Sequence, residues 1–386
     1  MKLTNAPMEI LFDRWADGMG RRRATGAIAV VLVLVVWMAG TAPRAAWGQA
    51  QDKVTLFPSP STVGAAPSIS GRVVSVSPAV VDIEGANGET QKLSIETIRE
   101  VQFGAEPQAL RSARAMLLRG RGTDARDEVG KIEAADLDGA EPLVLAEVEF
   151  VKAAAAGRSV LDAGGDLSGA VKVVTDYLAK HPKSHHVFQV QELLGDLQAR
   201  AGRPDEAIAA YSNLDSGPPA LKVRAATAKA AMLLAQKKTD AALAEYDAAI
   251  TLAAADPASQ PQKRFAELGK AKCLSLQGKH DAAIAMGLQI IKASNPEEKE
   301  LLSRAYNVLG GAYRAVGGKD QDALISYLTV DLVYNTEPDS HAEALFYLSE
   351  LWDRGSNPER AREAKQNLKS AYPASRWAEG LEAAKS

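Results

Sequence analysis

The chain has 386 residues and a formal net charge of −3, and only 5% of its residues are aromatic. This length allows two or three folded modules, and few aromatic residues beside abundant alanine favour close-packed helices over an aromatic-rich β-sandwich. Residues 1–50 hold six Lys/Arg and three Asp/Glu, so the rest of the chain is mildly acidic. That balance argues against nucleic acid as the main partner, because phosphate binding needs a basic surface. The single cysteine, Cys273, excludes an intrachain disulfide and a zinc site built on cysteines.

Residues 1–50 have the pattern of an export signal. Three arginines precede an uncharged apolar run over residues 24–40, and small side chains at Gly48 and Ala50 suit cleavage after Ala50. The run has about 17 residues, the lower limit for a membrane span, so an uncleaved inner-membrane anchor is the alternative. A start at Met19 would give a more compact signal peptide. The pattern predicts a protein that is exported to the periplasm or cell envelope.

A short β module is predicted between the signal and the remainder of the chain. Residues 51–68 are rich in Pro, Ser, Gly and Ala and predict a flexible linker. Residues 69–104 then alternate apolar and polar side chains, which indicates four or five short antiparallel strands, and Asn87-Gly88 predicts a hairpin turn. Because so small a sheet is marginal alone, we expect it to pack on the helices that follow, and a small SH3-like or Sm-like barrel is one possible arrangement. The strands carry no basic-aromatic platform for nucleic acid.

Residues 105–375 contain one sequence phrase that recurs about every 40 residues. Each copy has an alanine just inside a predicted helix, often after an acidic residue, and these alanines are Ala125, Ala170, Ala207, Ala242, Ala283, Ala323 and Ala361. A near-regular period in this range is typical of an array with one helical hairpin per copy. A small side chain lets two helices cross closely, and a tyrosine four residues later fills the adjoining space at Tyr211, Tyr246 and Tyr327.

Proline and serine separate several of the copies. Pro-x-Ser occurs at residues 182–184, 257–259, 338–340 and 373–375. Proline cannot continue a helix, and serine can cap the start of the next one. The charged loop before Ala207 contains Arg203, Asp205 and Glu206. Because similar loops recur with different charges in each copy, we interpret it as a turn and a helix start and not as a catalytic loop.

These residues resemble the tetratricopeptide repeat (TPR) family, whose first helix carries a leucine-glycine pair and an aromatic residue and whose second helix carries alanine, an aromatic residue and proline. The matching positions are Leu194, Gly195, Ala207, Tyr211 and Pro219 in one copy, Leu309, Gly310, Tyr313, Ala323 and Tyr327 in another, and Ala361 and Pro373 in the last. Most periods exceed the family's 34 residues, and the tryptophan of the first helix is absent. The resemblance implies a mainly α fold, a TPR-like α-α superhelical solenoid after a small antiparallel β module, with residues 376–386 as a C-terminal helical tail.

A stacked array offers an extended concave surface, which implies a non-enzymatic scaffold or adaptor for a protein or peptide partner. Exported TPR proteins that resemble this one act in cell-envelope assembly, division or secretion. The polar residues of the first helices that could line the concave face are Arg224, Arg304, Asn307 and Arg314. Self-assembly into a homo-oligomer is a further hypothesis, because imperfect ends of an array can stack.

Few residues indicate chemistry. Residues 181–186 contain three histidines, which zinc or nickel can bind, but no acidic residue or cysteine is adjacent in the sequence. Glu147 and Glu149 fit a solvated helix face, and no nucleotide-binding, hydrolase or zinc-protease motif is present. We therefore predict no enzyme activity, no cofactor and no metal. The alternative is a hydrolase or metal-dependent activity in the β module or in the loop from His181 to His186.

Overall fold

The computed structural model describes residues 51–57, 66–255 and 259–383. The predicted signal peptide and its cleavage site, and the repeat proline at position 257, lie outside these residues. Within them, five strands are followed by fifteen α-helices. No helix of this part of the chain is both long and apolar enough to cross a membrane.

The strands form one antiparallel sheet in the order β4-β3-β2-β1-β5. Their bounds are β1 Asp52–Leu56, β2 Ser68–Val76, β3 Val80–Glu84, β4 Thr90–Ser94 and β5 Ile98–Gln102. The first part of β2, up to Gly71, pairs with β1, and the part from Arg72 onward pairs with β3. The register against β3 shifts between Val73 and Ser75, which marks a β-bulge that bends β2. Alternate side chains such as Val54, Val73 and Val81 are buried and share one core with the helices that directly follow the sheet.

Strand β1 corrects the prediction of a flexible linker over residues 51–68. Val54 lies between Ile69 of β2 and Val101 of β5, and it is fully buried. The Asp52 carboxylate accepts hydrogen bonds from the backbone N–H groups of Val73 and Gly104, both at 2.8 Å. Only five residues alternate here, and the prolines and serines that follow dominate the composition. The sequence pattern therefore gave no indication of this interior strand.

The helices pack as antiparallel hairpins in chain order, each first helix followed by a second helix. Their bounds are α1 Gln108–Leu117, α2 Gly122–Val129, α3 Pro142–Ala163, α4 Leu167–Lys180, α5 Val187–Arg200, α6 Pro204–Ser212, α7 Pro219–Ala235, α8 Thr239–Ala254, α9 Gln260–Leu276, α10 His280–Ala293, α11 Lys299–Val316, α12 Asp320–Leu332, α13 Pro338–Arg354, α14 Pro358–Ala371 and α15 Arg376–Ala383. The odd-numbered helices are the first helices and the even-numbered ones the second.

The array curves with its first helices on the inside. From α7 onward each first helix packs directly on the next first helix, as α3 does on α5, whereas neighbouring second helices make far fewer contacts with one another. The ion pair between Lys272 of α9 and Glu343 of α13 (4.0 Å) bridges two first helices that are separated by a third. Such a bridge requires close approach of alternate first helices, which only the inner side of a curved array provides.

Small residues set the helix crossings. The seven alanines of the repeated phrase all lie on second helices and are buried. Three glycines of first helices lie directly against the ring of a tyrosine on a second helix, and the pairs are Gly195 with Tyr211, Gly269 with Tyr246, and Gly310 with Tyr327. Because glycine has no side chain, each tyrosine ring packs against helix backbone. Tyr211 and Tyr327 contact the first helix of their own hairpin, and Tyr246 of α8 contacts α9, the first helix of the next hairpin.

The C-terminal segment is part of the packed array. Ala378 and Leu381 of α15 are buried against Leu345 of α13 and Leu368 of α14, so this C-terminal helix packs on the last hairpin of the array. Arg200 at the end of α5 donates a hydrogen bond to the Ala374 carbonyl, so the third hairpin contacts the turn between α14 and α15.

Candidate functional site

The inner face of the array carries a row of charged side chains that connect successive first helices. Ion pairs join Arg158 of α3 to Asp196 of α5 (3.7 Å) and Arg314 of α11 to Glu350 of α13 (2.8 Å). Equivalent pairs are Glu192–Arg224 and Asp339–Arg376. These side chains remain partly exposed, so the inner face combines a defined geometry with groups that a partner can reach.

Three of the four residues predicted to face a partner lie on this row. Arg224 pairs with Glu192, and its side chain is 45% exposed. The guanidinium of Arg304 lies over the Phe265 ring of the preceding first helix, 5.3 Å from its centroid. Arg314 lies over the Tyr347 ring at 4.0 Å while it pairs with Glu350. Stacking on aromatic rings holds a cation in place without removing all its donors from solvent.

Asn307, the fourth predicted residue, occupies a different environment. It is only 4% exposed, and its amide nitrogen donates to the Ser340 carbonyl at the start of α13 (2.8 Å). The side chain therefore fastens α11 to α13 and is not presented to a partner. A polar residue on a first helix gives no sequence indication of whether it faces the groove or the next helix.

A second polar cluster lies where the sheet meets the array, and Arg114 is at its centre. Its guanidinium is buried and contacts Glu106 at 2.6 Å, Glu147 at 3.0 Å and Glu100 at 3.7 Å. Burial alone would lower the pKa of Arg114, but the carboxylates of Glu147 and Glu106 outweigh burial and raise it. The cluster holds β5, the turn after it, α1 and α3 together through one fully charged side chain.

Two histidines extend this cluster to the start of α5. The Nε2 atom of His186 lies 2.9 Å from Oε2 of Glu147, and the His186 ring stacks on Phe150 with 3.4 Å between centroids. His185 lies beside His186 and is buried, and neither of its ring nitrogens has a hydrogen-bond partner. Burial, with a smaller contribution from His186, lowers the pKa of His185 to about 3, so its ring is neutral at pH 7.

The acidic partners of the histidine loop come from α3, which corrects two sequence-based interpretations. Glu147 is 2% exposed rather than part of a solvated helix face, and Glu149 pairs with His181 of the same loop at 2.6 Å. Acidic residues are therefore adjacent to the histidines in space although none is adjacent in the sequence. Burial would raise the pKa of Glu147, but the neighbouring His186 and Arg114 lower it to about 2.

Comparisons with known proteins identify the fold. No family model matches the sequence, and no curated protein matches it. Among solved structures, a Rap protein complexed with Competence and Sporulation Factor matches with a TM-score of 0.52 at 14% identity, over 72% of this chain and 78% of that one. A tetratricopeptide repeat protein from Parabacteroides merdae ATCC 43184 has 17% identity and a TM-score of 0.49, over 69% of this chain and 92% of that one.

The fold is TPR-like. The resemblance read from the repeated phrase is thus confirmed at the level of fold, as is the predicted fold class of a mainly helical array after a small antiparallel sheet. PilW, a type IV pilus biogenesis factor, also matches, at 18% identity over 61% of this chain and 98% of that one, with a TM-score of 0.41. At these identities the likeness concerns architecture alone.

Proposed function

We propose that this protein is a non-enzymatic scaffold that binds a protein or peptide partner along the inner face of its TPR-like array. The proposal depends chiefly on three half-exposed cations, each paired with a carboxylate, that successive first helices present on this face: Arg224, Lys272 and Arg304. Their positions are fixed by ion pairs and ring stacking before any partner arrives, so little conformational entropy is lost on binding.

The structural comparison supports a partner of this class. The Rap protein that shares the fold was solved in complex with Competence and Sporulation Factor, so an array of this architecture can bind a partner. Here the inner row alternates positive and negative side chains instead of forming a patch of one sign. Such a row favours a segment with polar side chains of both signs over a nucleic acid.

Site-specific photocrosslinking in cells tests the proposal. A photoreactive amino acid placed at position 304 on the inner face is expected to give an adduct of one defined mass. The matched control is position 325 on α12, where Ile325 is exposed (56%) on a second helix. Adducts from position 325 but not 304 would contradict the inner-face proposal, and adducts at twice the chain mass would identify self-assembly instead.

We further propose that the protein acts in the cell envelope, in assembly, division or secretion. The support is the basic and apolar pattern of residues 1–50 and the cleavage motif that ends at Ala50. We expect the periplasmic fraction to contain a chain that starts at Gln51, detected as an N-terminal peptide by mass spectrometry. A chain recovered only from the cytoplasm with residues 1–50 intact would contradict export.

A further inference from the structure

The histidine pair at the start of α5 and Glu147 of α3 form a group with the composition of a metal site. One ligand atom from each of Glu147, His185 and His186 lies within 4.8 Å of the other two. Ligands about 2.1 Å from a common zinc ion lie at most about 4.2 Å apart, so a small rotation of the side chains brings all three into range. Two imidazoles and one carboxylate are a ligand set that zinc uses in proteins.

His185 is the residue that purely structural interactions do not explain. It is 93% buried, since its relative exposure is 7%, and neither ring nitrogen has a hydrogen-bond partner. A buried polar group without a partner costs roughly 1–3 kcal/mol of stability. A neutral imidazole has one nitrogen lone pair that can bind a cation, and that interaction would offset the cost.

The surroundings of Glu147 orient its carboxylate toward the histidines. Its Oε1 atom accepts from Arg114, and its Oε2 atom lies 2.9 Å from His186. A carboxylate ligand whose second oxygen is hydrogen-bonded is fixed in position, which is how outer hydrogen bonds support metal sites. The hydrogen bond from Arg114 thus occupies Oε1, and Oε2 is the oxygen that would bind a metal.

The charge of the cluster also favours a bound cation. The carboxylates of Glu100, Glu106 and Glu147 face the guanidinium groups of Arg111 and Arg114. Apart from His186 beside Glu147, three negative charges face two positive ones in a region that is buried except for the half-exposed Arg111. Burial of an unbalanced charge is unfavourable, and a cation beside Glu147 compensates for it.

We propose that Glu147, His185 and His186 bind a zinc ion that fastens the start of α5 to α3 beside the sheet. The ion connects the second hairpin of the array to the third and leaves a position for water or a fourth ligand. This proposal is independent of partner binding on the inner face, because the two regions share none of their contacts described above.

Zinc titration of the full-length chain, without a histidine tag and stripped with EDTA, tests the proposal. We expect one zinc ion per chain and a higher melting temperature with zinc. His185→Leu removes one ligand and both unpartnered nitrogens, so its metal-free form should be at least as stable as wild type. Its zinc affinity should fall by more than the roughly 10–100-fold that loss of an outer-shell partner costs.

His181→Gln is the matched control, because His181 lies in the same loop but pairs with Glu149. It should keep the zinc affinity within about twofold, far less than the effect of losing a ligand. An equal loss of zinc in the two variants would overturn the proposal, as would the absence of saturable binding to the wild-type chain. Retained binding by His185→Leu would assign the ion to another site and would also overturn it.

Discussion

Glu147→Ala is expected to lower the free energy of unfolding by about 3 kcal/mol, the lower end of the range for breaking a buried ion pair. The change removes a partner from the buried guanidinium of Arg114 and the acceptor beside His186. The cost stays at the lower end because Arg114 retains Glu106 at 2.6 Å. Chemical denaturation in buffer with EDTA measures this effect without any contribution from metal binding.

Glu149→Ala provides the control for that variant. Glu149 lies two residues further along the same helix, but its side chain is 37% exposed where it pairs with Lys180 and His181. An exposed pair contributes about 0–1 kcal/mol, so its loss should move the denaturation midpoint little. Equal shifts for the two variants would mean that Glu147 does not stabilise Arg114 as the geometry indicates.

Glu147→Gln separates charge from hydrogen bonding at this position. The glutamine oxygen can still accept from Arg114, and its amide can donate to a neutral His186 ring. We therefore expect stability between wild type and Glu147→Ala. A glutamine variant as unstable as the alanine variant would show that the negative charge, rather than the hydrogen bonds, accounts for the stabilisation.

The repeat could be derived from sequence because it depends on local and periodic features. Ala207 and the six alanines aligned with it occur once in each helical hairpin, and each of them is buried. The serines of the repeated Pro-x-Ser were harder to interpret. Ser375 accepts from the backbone N–H of Ala378, as a cap does. Ser184 accepts from the Tyr177 hydroxyl and from the His186 N–H before α5 begins, and the α13 cap is Glu337.

The junction cluster could not be derived from sequence, because its contacts join distant parts of the chain. Arg114 and Glu147 are 33 residues apart, and Glu147 and His186 are 39 apart. One indication was available: Glu147 interrupts the apolar start of a long helix, where a carboxylate has to be paired if it is buried. Which residue pairs with it depends on how α1, α3 and α5 pack, and one sequence does not specify that packing.

Gly310→Ala is expected to destabilise the protein by about 1–3 kcal/mol through overpacking. A Cβ atom on Gly310 would lie 2.7 Å from two ring carbons of Tyr327, which is fully buried on α12 and has little room to move. Alanine favours a helix over glycine by about 1 kcal/mol, so the observed loss will be smaller than the steric cost alone. The denaturation midpoint measures the net change.

Gly311→Ala should have the opposite sign, although the residue is adjacent on the same helix. A Cβ atom there would approach nothing closer than the Tyr327 hydroxyl at 3.8 Å, an ordinary contact. The variant therefore gains helix propensity without overlap and should be more stable by about 0.5–1 kcal/mol. Destabilisation at both positions would indicate a general intolerance of side chains on this helix and not a specific contact with the ring.

Tyr327→Leu in the Gly310→Ala background identifies the ring as the cause. Leucine removes the ring carbons that the new methyl group overlaps, so Gly310→Ala should cost less in this background than in wild type. Residues in direct contact couple by about 0.5–3 kcal/mol in such double-mutant cycles. Strict additivity would contradict the packing of Gly310 against Tyr327. The same double-mutant cycle would then have to be measured for Gly195–Tyr211, which also lies within one hairpin.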